Sequence, residues 1–133
     1  MKVLIDTNIL ISAVLFPGGR ASAALMRALL PPYQPIVCSY IIDELHHKFQ
    51  EKFPHKQTEL KAFLYSSMNI IHVIETPEEV SDAEKKIRDI KDRPILRAAV
   101  NYGVDYLLTG DKDFLEAKIK KPIIISAADF LEL

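Results

Sequence analysis

The sequence predicts a three-layer α/β/α sandwich around a central, parallel five-stranded sheet, and two observations carry that expectation. Five short apolar runs alternate along the chain with stretches whose apolar residues recur at helical spacing. The runs are apolar throughout, as strands covered on both faces of a parallel sheet must be. The chain has 133 residues, enough to bury one core, and shows no internal repeat, low-complexity segment or linker, so one domain over residues 1–133 is expected.

The first strand is Lys2–Ile5, closed by Asp6-Thr7-Asn8 where polar side chains take over. A helix follows, with Ile9, Leu10, Ala13 and Val14 at three- and four-residue spacing, until Pro17-Gly18-Gly19 breaks it. A second helix over Ala21–Leu30 is ended by Pro31-Pro32. Ile36–Cys38 reads as the second strand, and Ser39 as the N-cap of a helix with Ile42, Leu45 and Phe49 on one face and Glu44 in its first or second turn. His55–Met68 follows as a helix, Ile70–Ile74 as the third strand, Thr76-Pro77 as a turn, and Ser81 starts a short helix to about Ile87. Asp92-Arg93-Pro94 has the order of a helix start, an acid followed by proline in the first turn, and Ile95, Leu96, Ala99 and Val100 continue it to Gly103. Asp105–Leu108 is the fourth strand, Lys112–Lys118 a short helix, Ile123–Ile125 the fifth strand and Ser126–Leu131 the last helix.

The composition, 49% hydrophobic and 26% charged, is that of an ordinary globular protein and excludes a disordered chain. With 17 basic and 18 acidic residues the net charge is -1, so any contact with a polyanion must be local. Basic residues cluster in Lys48–Lys61 and Lys112–Lys121. Cys38 is the sole cysteine, which leaves no internal disulfide and fits a reducing, cytoplasmic setting. The apolar start before Asp6 is too short for a signal peptide, and no run approaches the ~18 residues of a spanning helix.

Ligands of open parallel sheets collect beyond the carboxyl ends of the strands, near the point where strand order reverses. The acids fall there: Asp6 after the first strand, Glu44 shortly after the second, Asp92 before the fourth, and Asp111 with Asp113 after the fourth. Acids also favour helix starts for capping alone, but Asp6 ends an apolar strand beside Thr7 and Asn8, and Thr109-Gly110-Asp111 repeats that arrangement. Converging carboxylates repel one another, which a divalent cation relieves. All-oxygen donors favour Mg²⁺, Mn²⁺ or Ca²⁺ over Zn²⁺, and such a site can activate water against a phosphodiester. His46, His47, His55 and His72 form no zinc pattern, and Pro17-Gly18-Gly19 lacks the spacing and lysine of a phosphate loop.

Asp6-Thr7-Asn8, Glu44, Asp92 and Thr109-Gly110-Asp111-Lys112-Asp113-Phe114 together resemble the PIN-domain family of nucleases. Asp6–Ala13 followed by Phe16-Pro17-Gly18-Gly19 is most similar to prokaryotic members described as toxins of toxin–antitoxin systems. The resemblance implies an Mg²⁺- or Mn²⁺-dependent ribonuclease with Asp6, Glu44, Asp92 and Asp111 as catalytic and metal-binding acids. It implies Asn8 and Thr109 as polar supports, Asp113 as a further acid, RNA as substrate, a small antitoxin as partner and a homodimer. Lys48, Lys52, Lys112 and Lys118 are the expected phosphate contacts. Two departures stand out: Arg93 follows Asp92 where many relatives carry an acid, and Asp89 competes for the third position, though the Ile95 and Ala99 spacing favours Asp92.

Other functions fit less well. A phosphorylated receiver module needs an acid pair after the first strand and a lysine after the fifth, and Ile125 leads to Ser126-Ala127 instead. An aspartyl phosphatase needs a second acid at position 8, which is Asn8. A PIN fold that binds or assembles without turnover remains the alternative.

Overall fold

The structure, a computed structural model, describes residues 1–133. Five strands, β1 (Lys2–Ile5), β2 (Gln34–Cys38), β3 (His72–Ile74), β4 (Tyr106–Leu108) and β5 (Ile123–Ile125), form one sheet in the order β3-β2-β1-β4-β5. Every neighbouring pair is parallel. The helices are α1 (Thr7–Leu15), α2 (Arg20–Ala28), α3 (Ser39–Lys52), α4 (Gln57–Ser67), α5 (Arg93–Tyr102), α6 (Lys112–Leu115) and α7 (Ala127–Leu131).

The three central strands bury consecutive side chains. Val3, Leu4 and Ile5 of β1, Val37 and Cys38 of β2, and Leu107 and Leu108 of β4 have no exposed surface. That requires cover on both faces, which the flanking helices provide. Edge strands are less protected, with Val73 of β3 at 43% exposure and Ile123 of β5 at 51%. Strand order reverses between β1 and β4, and the registers Ile5↔Leu108 and Leu108↔Ile125 bring β1, β4 and β5 to a common carboxyl edge. This crevice is where such sheets hold ligands.

The Pro17-Gly18-Gly19 break turns α1 and α2 through 117°. No single helix is long and apolar enough to cross a membrane. At the far end of α5, Gly103 takes the left-handed conformation (φ 69°) that closes a helix, and its amide donates to the carbonyls of Ala99 and Val100.

Several elements differ locally from the sequence expectation. Ser39 is the first residue of α3 and not its side-chain cap; Thr76 caps it from across the sheet, its Oγ1 accepting the Tyr40 amide at 3.0 Å. The buried face of α3 is Ile41, Leu45 and Phe49, and Ile42 is only half-buried, because exact four-residue spacing keeps 41, 45 and 49 on one stripe. The His55–Met68 stretch divides into a 3₁₀ turn, Pro54–Lys56, and α4. β3 is two residues shorter than Ile70–Ile74, since Ile70 lies in the turn that leaves α4. The Ser81–Ile87 helix is a 3₁₀ turn, Ala83–Lys86, and α6 ends at Leu115 instead of Lys118.

Candidate active site

Asp6 follows β1, and its amide continues the sheet ladder by donating to the Leu108 carbonyl at 2.9 Å. Its carboxylate turns into the carboxyl edge and is 3% exposed. Oδ1 accepts the Thr7 amide at 2.7 Å, and Oδ2 accepts the Thr109 hydroxyl at 2.7 Å. Thr109 is placed the same way on β4, its amide donating to the Ile125 carbonyl at 3.0 Å, and its hydroxyl oxygen accepts the Asp111 amide at 3.0 Å. The Thr7 hydroxyl donates to Glu44 Oε1, which α3 brings over from the β2 side. Two threonines thus tie three acids into one chain, Glu44–Thr7–Asp6–Thr109–Asp111.

Asp92 joins from the other side. It is the last residue of a 3₁₀ turn, Ile90–Asp92, and stands before α5, where its side chain makes no capping bond. Its carboxyl is near enough to Asp111 for burial and that acid together to raise its proton affinity. A helix-start acid that does not cap is free for other work, whereas Asp111 caps α6 by accepting the Asp113 amide at 2.9 Å.

The electrostatics reflect burial first and the neighbouring like charges second. Burial pushes the Asp6 carboxyl up to about 6; the Thr109 and Thr7 hydrogen bonds oppose the rise, and the charges of Glu44 and Asp111 add to it. Burial also pushes Asp92 up to about 8, aided by the hydrogen bond shared with Asp111 and by the charges of Asp111, Asp6 and Asp89. Tyr40 is raised too, by burial first and then by Glu44, Asp92 and Asp89.

A second, outer grouping overlaps the first. Carboxylate oxygens of Asp89, Asp92 and Asp113 all lie within 4.8 Å of one another. Asp89, however, is exposed and accepts the Lys91 amide at 3.0 Å, and Asp113 is bonded by Arg88 at 2.7 Å. The inner acids are tied together by hydrogen bonds around buried Asp6, whereas the outer three are the ones whose carboxylate oxygens already approach within the span of a single ion. Both sets offer only carboxylate oxygens, whose repulsion a divalent cation would relieve, and that donor chemistry suits Mg²⁺ or Mn²⁺.

The remaining residues singled out by sequence are placed as follows. Asn8 is exposed on α1 and bonds none of the acids, because one helical step turns its side chain away from Asp6; the support comes from Thr7. The Arg93 Nε donates to the Ile87 carbonyl at 2.9 Å. Lys48 Nζ lies 3.9 Å from Glu44 Oε2. Lys48 and Lys52 line a trench of about 740 Å³ together with Tyr40, Glu44 and Lys91. Lys112 and Lys118 are exposed and stand outside it. A second hollow of about 470 Å³, lined by Leu29, Tyr33, Ile70, His72 and Tyr102, opens at the amino ends of β2 and β3 and contains no carboxylate.

Comparison with known proteins gives a consistent picture. The family model described as PIN domain matches residues 2–113. No curated protein matches the sequence. Among solved structures, a chain of VapBC2 from Rickettsia felis, bound to a promoter DNA fragment, is 17% identical, with a TM-score of 0.70 over 95% of this chain and 98% of that one. A chain of a toxin–antitoxin complex from Klebsiella pneumoniae is 23% identical, with a TM-score of 0.63 over 94% and 97%. VapC20 from Mycobacterium tuberculosis, a sarcin-ricin loop cleaving toxin, is 12% identical, with a TM-score of 0.60 over 90% and 97%.

Proposed function

The chain belongs to the PIN-domain family, and on that premise we propose that it is a divalent-metal-dependent endoribonuclease and the toxin of a toxin–antitoxin pair. The observation that carries this reading is the threonine-linked chain of acids at the carboxyl edge of β1 and β4, joined by Asp92. Asp6, Glu44, Asp92 and Asp111 are the residues that would hold Mg²⁺ or Mn²⁺. When bound, such an ion neutralises charge on a phosphoryl oxygen and acidifies water.

The protein's own part is to position. Thr7 holds Asp6 through its amide and Glu44 through its hydroxyl, while Thr109 holds Asp6 and the backbone of Asp111. The carboxylates of Asp6 and Glu44 are then fixed before a ligand arrives, which lowers the reorganisation that chemistry would otherwise require. Lys48 and Lys52 flank the acids on the α3 side and can attract a phosphodiester backbone. Lys112 and Lys118 would reach a longer strand on the β4 side, and Asp113 would support Asp111 from its place on α6. Similar chains in toxin–antitoxin complexes support a small antitoxin as partner; a cytoplasmic homodimer completes the proposal.

Purified protein incubated with single-stranded and structured RNAs should cut them in Mn²⁺ or Mg²⁺ and stop in EDTA. Protein that binds the ion, carries no antitoxin and leaves every RNA intact would point instead to a PIN fold used for binding or assembly.

A further inference from the structure

Five arginines occur in the chain, and their surroundings single out one. Arg97 is committed to Glu84, Arg93 to the Ile87 carbonyl, and Arg27 to the carbonyls of Phe130 and Leu131. Arg20 lies in the first turn of α2, away from the acids. The Arg88 side chain is 87% exposed, yet one guanidinium nitrogen is fixed 2.7 Å from Asp113 Oδ1. Asp113 in turn stands within 4.8 Å of the Asp92 oxygen atoms. The other N–H groups of Arg88 have no partner in the protein and face solvent at the edge of the site.

The sheet order sets what lies on either side. Glu44 and the trench belong to the β2 side, Asp6 is on β1, and Asp113 with Arg88 is on the β4 side. The trench runs between α3 and Lys91, with Lys48, Lys52 and the Tyr40 side chain along it. Of its acids, Glu44 belongs to the site and Glu51 is paired with His47 at 3.1 Å, which leaves Asp43 as the one unpaired carboxylate.

We propose that Arg88 is a phosphate-binding residue of this site, carried to the acids by Asp113, and that a single RNA strand runs between Arg88 and the Tyr40–Lys91 trench. The inference rests on the ribonuclease reading and specifies its substrate. A guanidinium held by one edge presents a preformed fork to an incoming phosphate. With Lys48 beside Glu44 and Glu51 beside His47, the trench keeps one aromatic side chain and two lysines without a carboxylate partner, Lys52 and Lys91, which suits an unstacked strand whose bases can stack while its phosphates are neutralised. The paired backbones of a duplex leave no base free to enter.

The test is anisotropy of a labelled single-stranded RNA of about 12 nucleotides, and of its duplex, over a salt series in EDTA, where nothing is cut. The single strand should bind at least about tenfold more tightly than the duplex, as base stacking permits. Arg88→Ala and Lys91→Ala should each flatten the dependence of log affinity on log salt by about 0.7, the amount for one phosphate contact on a single strand. Arg88→Lys should restore that slope in part, and Lys61→Ala on α4 should leave it as in the wild type. Mn²⁺ affinity of Arg88→Ala, measured by calorimetry, should not fall, because the lost group is a cation. Absent RNA binding, equal duplex binding, or Arg88→Ala and Lys91→Ala slopes equal to that of Lys61→Ala would each overturn the proposal. Cleavage by the same proteins separates the two readings: RNA cut normally by an inert Arg88→Ala sinks this inference alone, and RNA bound as expected but never cut sinks the nuclease reading alone.

Discussion

At the scale of single residues, the site is a set of carboxylates that the metal-free protein tolerates at a cost. Asp6 and Asp92 have folded-state pKa values raised to about 6 and about 8, above the ordinary carboxylate range. The folded state therefore binds more protons than the unfolded state between roughly pH 4 and pH 8, so the stability of the metal-free protein falls as pH rises through that window. Melting temperature in EDTA should be higher at pH 5 than at pH 8, and Asp92→Asn should flatten the upper half of the profile. Because Asp92 is half-exposed and solvent screens it, the gain for Asp92→Asn at pH 8 is on the order of 1 kcal/mol, about 4 °C. The threonines give a separate prediction. Thr109→Val leaves both Asp6 Oδ2 and the Asp111 amide without their partner, a loss of about 2 kcal/mol in chemical denaturation. Thr7→Val keeps the amide bond to Asp6 but frees Glu44, so Mn²⁺ affinity should drop by about tenfold while stability changes little. Asp6 and Asp111 were legible in the sequence because a polar side chain that ends an apolar strand must sit at the sheet edge. That Thr7 reaches Glu44, 37 residues away, was not, since nothing local encodes which partner a hydroxyl finds.

At the scale of elements, the segment that carries Asp89 and Asp92 has little regular structure and is held by one buried ion pair. Glu84 is 2% exposed and accepts Arg97 Nε at 3.0 Å and Nη2 at 2.9 Å, with the Ser81 amide at 3.0 Å; Arg97 Nη1 donates to the Pro77 carbonyl at 2.9 Å. The Arg97 guanidinium, by hydrogen bond first, holds the Glu84 carboxyl down at about 2. A depressed folded pKa contributes stability above the ordinary value of 4.5 and loses it as pH falls toward 2. Arg97→Met, which leaves the carboxylate buried and unpaired, should cost about 3 kcal/mol at pH 7 and much less near pH 2, where Glu84 is protonated in the variant and about half protonated even beside Arg97. A constant difference across that range would show that the pair is not what holds the segment. The sequence showed a short helix near Ser81 but not this pair, because Glu84 and Arg97 have no local pattern in common and meet only through folding. Thr76 makes the same point: it read as turn chemistry, yet it caps α3 across the sheet, and Thr76→Val should cost about 1 kcal/mol. Strand positions were readable because continuous apolar runs are a strong local signal, and edges such as Ile70 were not, because edge strands end where pairing stops.

At the scale of the whole molecule, the order β3-β2-β1-β4-β5 brings scattered acids to one edge of the sheet as a candidate site. Glu44, Asp6 and Asp111 follow β2, β1 and β4, which are adjacent in the sheet although far apart in the chain, and Asp92 reaches them from the start of α5. The family match over residues 2–113 covers all of them. Two overlapping carboxylate sets share Asp92, the inner one around buried Asp6 and the outer one with Asp89 and Asp113. Calorimetric titration of Mn²⁺ into wild-type protein and single charge-removing variants decides between them. The account predicts that Asp6→Asn, Glu44→Gln, Asp92→Asn and Asp111→Asn each weaken binding by about tenfold or more, and that Asp89→Asn and Asp113→Asn leave it nearly unchanged. Wild-type affinity in Asp6→Asn and Glu44→Gln, with binding lost in Asp89→Asn and Asp113→Asn, would contradict it.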